Sequence, residues 1–330
     1  MNDKERILNA LDNKPVDRVP VGFWFHFLTQ DPGFVEFNAA LTDPGLAAKN
    51  IEGHRAYIEG LNPDFVKIMS DGYFFMPIEG AKEFECPDDL KKIKALDRDH
   101  PWIEAQVKLC GSVTRMRKDT AYFYNIFSPT RSLWWNLGDA AFFEFIARDP
   151  QAVSDALAEI NKTLLILAER VIRESGVDGI YFSASNPNYR VVSDGMYRKY
   201  ISPVEISYLR EVGKLSEYNI LHICSNSGKK NNLELFADYP VKAFSWASHS
   251  ENTTLAQGKK LFGGKAVLGG FEHIPGSIIH AGSKEEIKAY AKTLIEQTGR
   301  VGVIIGADCT VPSDTPLEHI EWVRQVVACS

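Results

Sequence analysis

Eight short runs rich in branched and aromatic residues recur along the chain, at residues 19–27, 65–70, 121–127, 179–183, 219–224, 243–247, 266–271 and 301–307. Amphipathic segments separate them. The clearest spans residues 149–175, where Val153, Leu157, Ile160, Leu164, Leu167 and Val171 recur at the spacing of one helical face. Strands that alternate with helices predict βαβ units and a parallel sheet. Eight such units can wind doubly or close on themselves. No Gly-x-Gly-x-x-Gly follows the first run, which removes the usual signature of a dinucleotide-binding doubly wound sheet. The expected fold is therefore α/β, a (β/α)8 TIM barrel, forming one domain over residues 1–330. Punctuation agrees: Pro44, Pro87, Pro150 and Pro316 open helical segments, and Gly176 and Gly299 close two of them.

Composition narrows the function mainly by exclusion. The chain has 330 residues, 45% of them hydrophobic and 24% charged, with a formal net charge of −6. That balance argues against a nucleic-acid partner. The amino terminus is polar and runs into an amphipathic helix, so no secretory signal is expected and the cytoplasm is the expected location. The longest apolar stretches are too short to cross a bilayer, so no membrane partner is expected. Five cysteines, Cys86, Cys110, Cys224, Cys309 and Cys329, stand at irregular spacings. A chain of this size does not need a disulfide framework, so cysteine chemistry here points to metal or thiolate.

The strongest chemical signal is His222-Ile-Cys224 on the fifth run, with Cys309 at the end of the eighth. Residues two apart on a strand face the same way, so His222 and Cys224 can grip one ion. Cys309 would be the third ligand. Each of the three, taken alone, is also an ordinary buried core residue. Together they match catalytic zinc, which keeps three protein ligands and an open position, better than structural zinc, which is closed by four. Two thiolates leave zinc a weak activator of water but a good acceptor of a substrate thiol, which it deprotonates on coordination. Alkylation of a substrate thiol is the reaction that this ligand set serves.

In a barrel the reactive groups sit beyond the carboxyl ends of the strands. Asp71 and Glu272 are the candidate catalytic carboxylates there, with a solvated cap as the alternative for each. His26, Asn125, Asn186 and Tyr189 are candidates to touch a cofactor, and most of them could equally be rim residues. Water, Glu272, Asp308 and His249 all remain open as a fourth zinc ligand.

Placed together, these residues resemble the uroporphyrinogen decarboxylase superfamily. The likeness is carried by residues 4–11 and 14–20, by Phe244-Ser245-Trp246, by Leu268-Gly269-Gly270, and by residues 306–312 leading to Asp314-Thr315-Pro316. The resemblance implies a (β/α)8 barrel. His222, Cys224 and Cys309 resemble its methyltransferase branch, in which zinc activates a thiol to take a methyl group from a methylated corrinoid (methylcobalamin) protein. That branch implies three partners: zinc, a corrinoid protein, and a small thiol or tetrahydrofolate acceptor. The decarboxylase branch is the alternative. Its arginine-rich segment after the first strand is replaced here by residues 23–28, Phe-Trp-Phe-His-Phe-Leu, which offer no clamp for a substrate bearing many carboxylates.

Overall fold

A computed structural model describes residues 1–29, 37–185, 192–224 and 230–328. All eight runs form strands: β1 (Val21–Gly22), β2 (Phe65–Ile68), β3 (Ala121–Phe127), β4 (Gly179–Ala184), β5 (Ile220–Ile223), β6 (Ala243–Trp246), β7 (Ala266–Phe271) and β8 (Val303–Ala307). They pair in parallel in the order β1-β8-β7-β6-β5-β4-β3-β2. This is the expected (β/α)8 barrel, closed except for hydrogen bonds between β1 and β2.

β1 is much shorter than its hydrophobic run. Its backbone finds other partners: the amides of Phe27 and Leu28 donate to Asp71 Oδ2 at 2.6 and 3.3 Å instead of joining a ladder. Side chains finish the seam between β1 and β2. Val21 N donates to Asp64 Oδ2 at 2.8 Å, and the Phe65 ring fills the space where a Gly22 side chain would stand, 1.8 Å from an ideal Cβ. Only glycine admits that ring.

Two apolar layers result. One fills the lumen with Phe65, Phe123, Tyr181, Ile220, Leu268 and Ile304, and helix α1 (Asp3–Leu11) plugs its lower end with Ile7, Ala10 and Leu11. The other lies between the strands and the outer helices α2 (Pro44–Leu61), α3 (Pro101–Thr114), α4 (Pro129–Leu137), α5 (Asp139–Arg148), α6 (Pro150–Ser175) and those that follow. The predicted stripe on α6 is buried along its whole length. Each of those side chains contributes about 1.5–3 kcal/mol by leaving water.

Helix ends follow the punctuation. Asp43 and Asp149 cap α2 and α6 in front of Pro44 and Pro150, and Gly176 ends α6 with a left-handed φ of 73°. His100 and Ser128 do the same for α3 and α4, so two further proline starts escaped the sequence reading. Pro87 opens a short 3-10 turn, and the last helix begins at Leu317, one residue past Pro316. Among the described residues no helix is long and apolar enough to cross a membrane.

Candidate metal and acceptor site

β5 puts His222 into the lumen one register above Ile220, where Trp24 and Tyr181 flank the imidazole at ring distances of 6.3 and 5.6 Å. Cys224 follows on the same face. Its amide extends the ladder by donating to the Ala184 carbonyl at 2.7 Å, and its carbonyl accepts from Asn231 Nδ2 at 3.2 Å. The Glu251 carboxylate in turn holds Asn231.

Cys309 reaches the same point from the other side, past the end of β8. Asp308 turns the chain there. Its buried carboxylate accepts from Ser248 Oγ at 2.8 Å, His249 N at 3.0 Å and Gly270 N at 3.2 Å, and pairs with His249 Nδ1 at 2.7 Å. The ends of β6, β7 and β8 are thereby tied together. The ligand atoms of His222, Cys224 and Cys309 all lie within 4.8 Å of one another, and among the described residues no other group of His, Cys, Asp or Glu converges this way.

Does this donor set fit zinc? Tetrahedral zinc holds its sulfur and nitrogen ligands roughly 3.5–3.8 Å apart, so small side-chain rotations close the site. The decisive feature is electronic. His222 Nδ1 bonds Ser245 Oγ at 3.1 Å, while Nε2 is buried without a hydrogen-bond partner. Burial pushes this imidazole's pKa down against the opposing pull of Cys224, which favours the neutral form that carries a lone pair. The Cys309 thiol donates toward Cys224 and, despite burial, holds the Cys224 sulfur well below its ordinary pKa; the same contact and burial push Cys309 up.

The site opens into a cavity of about 440 Å³, lined by Cys224, Cys309, His26, His273, Arg131 and an aromatic wall that includes Phe74, Phe127 and Trp135. A volume of this order suits a small ligand. His273 Nδ1 is buried without a partner.

The remaining candidates fall into several positions. His26 lines the cavity and pairs through Nδ1 with Asp71 Oδ1 at 2.7 Å. Asp71 is buried, with its other oxygen committed to the Phe27 and Leu28 amides, so it fixes the loop that carries His26. Asn125 bridges Ser70 Oγ and Ser183 Oγ at 3.1 and 2.8 Å, a cross-strand belt beneath the mouth. Glu272 is half-buried beyond β7 and, like Asp308 and His249, stands outside the ligand group. Asn186 and Tyr189 lie outside the described residues.

Two cations escaped the sequence reading. Lys67, on β2, is 5% exposed and points into the lumen, with Nζ 4.2 Å from the Tyr181 ring centroid and 4.9 Å from that of Trp24. Burial pulls its pKa down to about 8 against the opposing charges of Cys309, Cys224 and Asp71. Strand alternation offered a signal, because Phe65, Lys67 and Met69 share one face. Arg131, in the first turn of α4, carried no such signal; tertiary packing alone brings it to the cavity.

Residues 81–328 match the sequence profile of the uroporphyrinogen decarboxylase (URO-D) family. The chain belongs to that family. The match begins after β2, so the opening segment on which the resemblance also rested lies outside it. Among solved structures, a methyltransferase from Methanosarcina mazei is similar over 99% of this chain and 98% of that one, at 20% identity and a TM-score of 0.73. A B12-independent methionine synthase from a Shewanella species, in complex with selenomethionine, follows at 12% identity and a TM-score of 0.57, covering 94% of this chain and 97% of that one. A beta-mannanase from the blue mussel Mytilus edulis has a TM-score of 0.51 at 11% identity, covering 93% and 96% of the two chains. At these identities the likeness is one of fold. No curated protein matches the sequence.

Proposed function

We propose that this URO-D family protein is a zinc-dependent methyltransferase that moves a methyl group from a methylated corrinoid protein to a small thiol. One observation carries the reading: the buried imidazole of His222, its Nδ1 on Ser245, converges with the sulfurs of Cys224 and Cys309 so that the three ligand atoms lie within 4.8 Å of one another. His222, Cys224 and Cys309 would hold the metal. Bound there, zinc supplies an open position at which an acceptor thiol loses its proton near neutral pH. Ser245 bonds Nδ1 of His222 and orients its ring, and Asp308 sets the position of Cys309. The aromatic wall excludes water, which would otherwise stabilise the acceptor thiolate and blunt it. The acceptor sulfur takes the methyl carbon; the donor's cobalt keeps the electron pair of the broken bond.

The two methyl-transferring neighbours support the reaction class at the level of fold. One of them is a B12-independent methionine synthase, so the donor is what the assay must establish. Purified protein should contain about one zinc. Cys224→Ser and Cys309→Ser should each lose that zinc together with demethylation of methylcobalamin, assayed against several thiols and tetrahydrofolate. Full activity in a zinc-free variant would refute the proposal.

The family's name offers decarboxylation as the other reading. Among the described cavity residues Arg131 is the only Lys or Arg, whereas a porphyrinogen bearing many carboxylates needs several such clamps. Metal-free protein is therefore expected not to turn over uroporphyrinogen.

A further inference from the structure

We propose that Lys67 is a positioning residue that supplies the counter-charge for the acceptor sulfur: a cation held in the lumen beside the metal ligands, favouring the charged thiolate and losing its hold once methylation makes that sulfur neutral. The inference rests on the methyl-to-thiol reading and gives a role to a residue outside the ligand set.

β2 sets Lys67 between Phe65 and Met69 on the face that fills the lumen, a layer that barrels ordinarily pack with apolar side chains. Its ammonium stands over the rings of Tyr181 and Trp24, the same two rings that flank His222. No ion pair with Lys67 forms among the described residues, whereas the buried guanidinium groups of Arg6 and Arg170 are each matched by carboxylates. Aromatic faces offset only part of the cost of burying a charge. The missing partner is an anion that arrives with the reaction.

Lys67 is not among the residues that line the cavity into which Cys224 and Cys309 open, so an acceptor lies beyond its direct reach. Its charge carries further. The sulfurs of Cys224 and Cys309 and the imidazole of His222 all lie within electrostatic range of the ammonium. Two deprotonated sulfurs cancel the charge of zinc and a coordinated imidazole adds none, so the resting ligand set has no net charge. An acceptor thiol gives its S–H proton to solvent as it coordinates, and its sulfur then brings one negative charge beside a lumen walled by Trp24, Tyr181 and Phe65. A fixed cation nearby offsets the cost of that anion. When the sulfur bonds the methyl carbon it becomes a neutral thioether, and Lys67 has nothing left to hold. Charge alone thus separates acceptor from product.

The test uses zinc-loaded full-length protein with 3-mercapto-1-propanol, a thiol that bears no other charge, and 3-(methylthio)-1-propanol, its methylated counterpart. Calorimetry reads the binding of each, and competition with a chelator reads zinc. Lys67→Met should bind the thiol about 10- to 100-fold more weakly than wild type, the effect of removing one charge several ångströms away at an effective dielectric constant of about 20. Its affinity for the thioether should stay within about twofold, and its zinc affinity should not fall, because neither ligand adds negative charge beside Lys67. Lys67→Gln should repeat this pattern, and Lys67→Arg, which keeps the charge, should recover most of the thiol affinity. Unchanged thiol affinity in Lys67→Met and Lys67→Gln would overturn the proposal. So would an equal loss for thiol and thioether, the mark of a side chain that only shapes the lumen, or a loss of zinc affinity as large as that for the thiol, which would make Lys67 a counter-ion of the cysteines alone. Wild-type protein that binds zinc but no thiol is a different pattern and would overturn the thiol-acceptor reading itself.

Discussion

The two ends of the barrel handle buried charge in opposite ways. At the lower end the buried arginines and carboxylates are matched. Arg6 grips Asp17 through Nε and Nη2 at 2.7 and 2.9 Å, Arg18 grips Asp64 through both nitrogens at 2.7 and 2.5 Å, and Asp3 joins Arg6 and Arg117. At the upper end His222 Nε2, His273 Nδ1 and Arg131 Nε lie buried without hydrogen-bond partners among the described residues, and Lys67 lies against the aromatic faces of Trp24 and Tyr181 with no ion pair among them. Matched charge is architecture, since it fastens α1 and the β1 seam. Unmatched polar groups cost stability, and a fold that keeps several of them around one cavity keeps them for a ligand. Size is a poorer guide than this contrast. A larger hollow of about 660 Å³ lies between α2 and the last helix, but its cations Arg18 and Arg324 are already paired with Asp64 and Glu321.

The sharpest way to break the contrast is Asp64→Asn, which should cost about 3–5 kcal/mol in chemical denaturation while leaving the zinc content unchanged, because it takes from Arg18 its two short bonds and from Arg6 one of its three carboxylates. Its pH dependence has a fixed sign. Burial pushes the Asp64 carboxyl up, but Arg18 and the Val21 amide outweigh it and hold the folded pKa below the usual carboxylate value. Its stabilisation is therefore complete above about pH 4 and fades as pH falls through the folded value. The variant should show a shallower acid limb than wild type.

Asp308→Ala joins the two regimes, for it is a matched carboxylate at the unmatched end. It should lose about 3 kcal/mol of stability and also weaken zinc binding, since Ser248, His249 and Gly270 lose their acceptor and Cys309 its fixed position. Stability loss with undiminished zinc affinity would separate the two roles. Ser245→Ala should spare the fold and weaken zinc by about 10- to 100-fold, the usual cost of losing the group that orients a ligating histidine. The smallest effect has the opposite sign. Lys67→Met should raise the stability of metal-free protein by about 1–2 kcal/mol, because a similar apolar volume replaces a buried ammonium that forms no ion pair with a carboxylate among the described residues. Destabilisation would show that the cation's contacts with Trp24 and Tyr181 outweigh its burial.

The strand count, the α6 stripe and the proline-led helix starts could be read directly, because each depends on local periodicity or on backbone chemistry within a few residues. The pairing of His222 with Cys224 was legible for the same reason. The length of β1 was not, since its amides are claimed by Asp71, a residue more than forty positions away. Nor were the hydrogen bonds of Asp71, a candidate catalytic carboxylate, and of Asn125, a candidate cofactor contact, which tie both residues into the frame of the mouth.

The sequence by itself determined the barrel and the three soft donors, since alternation and side-chain chemistry are properties of short stretches of chain. Tertiary structure decided that Cys309 meets Cys224 across the lumen, that His222 keeps one nitrogen free, and that Arg131 and Lys67 stand buried beside the sulfurs. The physical reason is the barrel closure itself, which converts strand ends distant in sequence into neighbours and fixes which charges find partners.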